Sequence, residues 1–96
     1  MRVDNGTTDP VDFDQTGGGT DPDPEDAYLE HESYKGQLAP AGQPGDSQTF
    51  TPVATFPYNV HFNKTGSKNP QADSGPFTDP DSTVTLNADW TVSISK

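Results

Sequence analysis

Phe50-Thr51-Pro52-Val53-Ala54-Thr55-Phe56-Pro57-Tyr58-Asn59-Val60-His61-Phe62 and Thr83-Val84-Thr85-Leu86-Asn87-Ala88-Asp89-Trp90-Thr91-Val92-Ser93-Ile94-Ser95 are the stretches whose reading decides the fold. In the first, Phe50, Pro52, Ala54, Phe56, Tyr58, Val60 and Phe62 fall on even positions; in the second, Val84, Leu86, Ala88, Trp90, Val92 and Ile94 do. A period of two sends successive side chains to opposite faces of a strand, so each stretch offers one apolar and one polar face. The pattern predicts half-buried β-structure. Pro52 and Pro57 remove ladder donors, so the first stretch reads as an edge strand or as two pieces around Pro57.

The second stretch has two readings. Asn87-Ala88-Asp89 can be a tight turn closing a hairpin, or the run can be one long strand. A short hairpin loop usually ends on a glycine in the left-handed region, and Trp90 takes that place. We therefore prefer the continuous strand, because the alternation also runs unbroken through the candidate turn. Residues Thr83 to Val92 resemble the hairpin of Ig-like and cadherin-like repeats of large bacterial adhesins, where Thr-Val-Thr-Leu-Asn-Ala-Asp-Gly-Thr-Val is frequent. Trp90 departs from that pattern at its glycine, and no functional residue is carried over.

Upstream the sequence changes character. Residues 1–49 carry eleven acidic side chains against Arg2 and Lys35, which accounts for most of the net charge of −10. Residues 1–22 read as an extended acidic arm, with Asp-Pro at 9–10 and 21–22 and three glycines at 17–19. Within it, Val11 and Phe13 alternate with Asp12 and Asp14 and are able to anchor a strand on a neighbouring sheet edge. Residues 23–36 carry a helix signal: Asp23 as N-cap, Pro24 in the first turn, Glu25 and Asp26 at the positive end of the dipole, and Gly36 as C-cap. The helix is expected over about 24–34, with Ala27, Tyr28, Leu29 and Tyr34 toward a partner. Residues 37–47, with Pro40, Gly42, Pro44 and Gly45, form a linker. Residues 48–96 are a small antiparallel β-unit, paired over about 48–62 and 83–95, with a long loop at 64–82 in which Phe77 should plug a core. The fold class expected is thus mainly β with extensive irregular coil.

Only 27% of the residues are hydrophobic, well under the share usual in globular domains. The expectation is a core completed by a partner and an isolated chain that is mostly unfolded.

The acidic half repels phosphate backbones and anionic lipid, so neither nucleic acid nor membrane is the expected partner; another protein with a basic surface is, and a homo-oligomer remains open. The chain has no cysteine, hence no disulfide or thiolate site. It shows no signal peptide and no apolar run of spanning length, and a virion or extracellular setting is favoured. Asn5-Gly6-Thr7 and Asn63-Lys64-Thr65 fit the glycosylation acceptor pattern.

Candidate chemistry is sparse. Asp12, Asp14, Thr16 and Gly17 fit a D-x-D-x-x-G calcium pattern with Asp23 as the final ligand, against the simpler reading of a solvated loop; no cofactor is otherwise expected. Asp79, Asp81 and Ser82 suggest a capped turn. His31 and His61 lack a third nitrogen or sulfur ligand. No nucleophile elbow, phosphate loop or dinucleotide fingerprint occurs, so an enzyme is not expected. The reading reached is a non-enzymatic structural subunit docking on a larger assembly, for example a minor capsid, decoration or tail component of a phage. The alternative is an adhesin-type Ig-like module ordered by calcium; a protein from a high-salt habitat is a third reading. Partner contacts are expected at Val11, Phe13, Tyr28, Leu29, Tyr34, Phe50, Phe56, Tyr58, Phe62, Trp90, Val92 and Ile94.

Overall fold

The computed structural model describes residues 1–17, 33–53 and 56–95. Among them the chain forms β1 (Arg2–Asn5), β2 (Val11–Gly17), β3 (Ser33–Leu38), β4 (Ser47–Thr49), β5 (Tyr58–Lys64), β6 (Gln71–Asp73), β7 (Thr83–Leu86) and β8 (Val92–Ser95), with no helix. The strands make two four-stranded sheets, ordered β4-β1-β7-β8 and β3-β2-β5-β6. Every pairing is antiparallel except β1 with β7, which is parallel. The chain crosses between sheets at the β1–β2, β3–β4, β4–β5 and β6–β7 connections. The protein is mainly β, as the alternation predicted.

One cluster of buried apolar residues joins the two sheets. Val3, Val84 and Leu86 from one sheet and Val11, Phe13, Leu38, Tyr58, Val60 and Phe62 from the other belong to it, together with Met1. The strict burial alternation of β2 shows how the period of two becomes packing: Val11, Phe13 and Gln15 point inward while Asp12, Asp14 and Thr16 point out. Residues 1–17, the described part of the expected arm, thus supply β1 and β2 and three of the apolar core residues beyond Met1. The glycine inside β3 has a packing reason. Opposite Phe13 in the register, Gly36 would place a Cβ 2.6 Å from Phe13 Cε1, so the bare backbone makes room for the ring.

Aromatic rings fill the gap between the sheets near β4. Phe50 stacks on Tyr34 at 4.3 Å between centroids, and Phe13 lies 5.7 Å from Phe50 and 6.0 Å from Tyr34. The Tyr34 hydroxyl accepts a hydrogen bond from Gln48 Nε2, giving the half-buried ring its polar partner.

Two buried amides fix the connections. Gln15 lies fully inside, where its Oε1 accepts the Val53 N–H at 2.8 Å and its Nε2 donates to the Thr16 and Val53 carbonyls. It stands in for a strand neighbour and ties the segment after β4 to β2. Asn5 Nδ2 donates to the carbonyls of Asp9 and Ala39, while its Oδ1 accepts from the Thr7 N–H and hydroxyl. With its amide nitrogen so engaged and the residue buried, Asn5 cannot act as a glycosylation acceptor in the folded protein.

Several expectations change. The run 83–95 is a hairpin and not one strand: β7 and β8 pair from Thr83 with Ser95 to Leu86 with Val92. The Asn87 N–H donates to the Thr91 carbonyl at 2.8 Å and the Trp90 N–H to the Asn87 carbonyl at 2.9 Å, so the loop is Ala88-Asp89-Trp90. Trp90 itself takes the left-handed conformation, φ 64°, in the place a glycine normally holds. The first alternating stretch is broken at its prolines, as expected, but β5 is an interior strand between β2 and β6 rather than an edge. Ser33 and Tyr34, the last residues of the expected helix, belong to β3, and Gly36 is a strand glycine instead of a C-cap. The rest of that helix lies outside the described residues. The expected 37–47 linker ends β3, joins the two sheets through 39–46 and begins β4. The 64–82 loop contains β6, and Phe77 packs against the core as the expected plug, bridged to Tyr58 by backbone hydrogen bonds of 2.7 and 2.9 Å.

Candidate functional site

Among the described residues, two surfaces stand out by their side chains. The first is the outer face of the β3-β2-β5-β6 sheet. Its register aligns Lys35, Asp14, His61 and Asp73 in one cross-strand row, and Gln37, Asp12, Asn63 and Gln71 in the next. His61 Nδ1 lies 2.9 Å from Asp73 Oδ1, and Thr65 donates its hydroxyl proton to Asp12 Oδ1 at 3.0 Å. Asp14 Oδ1 is enclosed without a hydrogen-bond partner. A shallow depression of about 420 Å³ lies over the β2–β3 side of these rows. Among the described residues the face is polar, mixed in charge, and without an exposed aromatic ring to act as a platform.

The second surface is the open end of the sandwich beside β8. Ile94 stands opposite Val84 in the register and so shares its face of the sheet, yet it is 38% exposed where Val84 is fully buried. Beneath it runs a groove of about 470 Å³ lined by Pro76, Phe77, Thr78, Asp79, Ser82, Ile94 and Ser95. Phe77 forms part of its wall and contacts Tyr58, ring centroids 5.9 Å apart. β8 has no strand neighbour on its far side among the described residues. The turn at Asp79 is capped as its sequence suggested: Asp79 Oδ1 accepts the Asp81 N–H at 2.9 Å, and the Asp79 carbonyl accepts the Ser82 N–H at 3.2 Å.

The predicted contact residues divide. Val11, Phe13, Tyr58 and Phe62 are core, and Tyr34, Phe50, Trp90 and Val92 are partly buried against it, so these eight serve packing inside the chain. Phe56, at 63% exposure, and Ile94 remain available to a partner. Tyr28, Leu29 and Asp23 lie outside the described residues. Asp12 and Asp14 stand two apart along a strand, which cannot wrap round an ion as a calcium loop does. Among the described residues, no three His, Cys, Asp or Glu side chains gather to hold a metal. Lys35, Gln37 and Asp73 were missed because each reads as an isolated polar residue until the register aligns it.

The chain matches no protein-family model, no curated protein and no solved structure.

Arg2 and Asp89 are displaced from their ordinary values. The Arg2 guanidinium is raised by its hydrogen bond to Asp4, 2.8 Å away, and by that carboxylate's charge. Asp89 is lowered, first by the hydrogen bond from the Thr91 hydroxyl at 2.6 Å and then by the Thr91 N–H at 3.1 Å. Both groups are exposed, and all three bonds are local clamps.

Proposed function

We propose that the protein is a non-enzymatic structural subunit that docks on a larger assembly through another protein, for example as a minor capsid, decoration or tail component of a virion. The observation that carries this reading is the exposure of two large apolar side chains, Phe56 and Ile94, on a chain otherwise rich in polar and acidic surface. Ile94 differs from a stray surface residue in that it shares a face of the sheet with the buried Val84. Buried on docking, such side chains serve as anchors while the surrounding polar groups fix orientation. The net charge of −10 keeps free copies apart and favours a basic partner surface.

Sedimentation of a native-host extract tests the reading. The protein is expected to travel with a particle far heavier than its own 10.3 kDa, and Phe56→Asp to leave it near the top of the gradient. Wild-type protein found only as a free monomer overturns the proposal.

A further inference from the structure

Among the described residues β8 has no strand neighbour on its far side, and the backbone of that edge restricts what can fill the groove. The bond from the Asn87 N–H to the Thr91 carbonyl makes 87 and 91 a hydrogen-bonded pair. Pairs in an antiparallel ladder alternate, so Thr85 and Ser93 are bonded next, then Thr83 and Ser95. The N–H and C=O groups of Val92 and Ile94 therefore point away from β7, toward the open side. An occupant that satisfies them needs an extended backbone of its own, and one that also covers Ile94 and Phe77 needs apolar side chains on every second residue.

The other sheet edges are better guarded. β4 and β6 are three residues long, and β3 carries the exposed Lys35. β8, Val-Ser-Ile-Ser, has neither charge nor proline, the devices that usually blunt an edge. Its approaches carry two carboxylates and one lysine, Lys96, which follows Ser95 in the sequence. Asp89 lies in the turn at its start, and Asp81 stands two residues before Thr83, the partner of Ser95 at its end. No Lys or Arg is among the described residues lining the groove. A second copy of this chain would bring another ten negative charges to the same place.

We infer that the β8 edge and its groove receive an extended segment of a protein partner, apolar at alternate positions and basic where it passes Asp89, which adds a fifth strand to the β4-β1-β7-β8 sheet. This specifies the contact within the docking role proposed above and rests on that reading.

Amide hydrogen exchange of the full chain tests it, with the peptide Lys-Val-Thr-Val-Thr-Val-Lys as probe. Bound peptide is expected to slow exchange at Val92 and Ile94 by about tenfold or more, with little change at Ser93, already bonded to β7. The same peptide with Glu at both ends should bind about tenfold more weakly, a preference that shrinks in high salt. Methylating alternate peptide nitrogens leaves the protein untouched; it should abolish binding in one phase and spare it in the other. Equal binding of the acidic peptide, indifference to methylation in either phase, or protection of Val92 and Ile94 by self-association alone overturns the inference. If these arms fail while the protein still sediments with a particle through Phe56, the docking reading stands and the strand-addition contact falls.

Discussion

Trp90 holds a position that chain geometry reserves for glycine. A non-glycine residue in the left-handed region costs about 1–2 kcal/mol, and the ring offsets this by packing against the core. Replacing it separates the two effects. Trp90→Ala loses the packing and keeps the strain, whereas Trp90→Gly loses the packing and relieves the strain. Urea unfolding should therefore find the glycine variant more stable than the alanine variant by about 1 kcal/mol, the reverse of their usual order within a strand. Equal stabilities would mean that the turn does not hold the left-handed conformation in solution.

At the scale of elements, the same hairpin shows how sequence and structure diverge. Its register places residues of equal parity opposite one another, Val84 with Ile94 and Leu86 with Val92. Alternation therefore passes through a three-residue loop without a break, and its continuity could not tell a hairpin from a strand. The clamp on that loop is Asp89, whose carboxylate accepts two bonds from Thr91 and is held below its ordinary value. A depressed carboxylate stabilises the fold above its unfolded value of about 4, and the contribution fades as the pH falls through the lower folded value. Carboxyl NMR should show Asp89 titrating below an ordinary aspartate, with Thr91→Val returning it toward that range; an unchanged midpoint would remove Thr91 as the cause. Other strands were hidden for other reasons. β1 has Val3 as its one apolar residue, β4 is Ser-Gln-Thr, and β3 turns a glycine inward between Tyr34 and Leu38. β2 was half legible: Val11 and Phe13 kept the period until the buried Gln15 broke it. The open groove was not legible, because Ile94, Phe77 and Pro76 come to line it together only through the fold.

For the whole molecule, composition pointed to a chain unable to close its own core. Few apolar residues are available, but the fold concentrates them: both sheets direct theirs into one cluster, and Tyr34, Phe50, Phe77 and Trp90 seal its margins. The purified chain is therefore expected to unfold in urea as one cooperative transition, with Trp90 fluorescence and far-ultraviolet circular dichroism changing together. A shallow or probe-dependent melt would show that a partner is needed to complete the core.

The parallel pairing of β1 with β7 also constrains how the protein is made. β1 leaves the ribosome before β7, and Arg2 to Asn5 cannot meet Thr83 to Leu86 until the intervening chain has been synthesised. Strands β2, β3, β5 and β6 can assemble meanwhile, whereas β1 has only the three residues of β4 to hold. A strand that waits this long invites misassociation if it is greasy. Arg-Val-Asp-Asn, with two charges and one apolar side chain, can remain in water for the duration of translation without becoming a hazard to its neighbours.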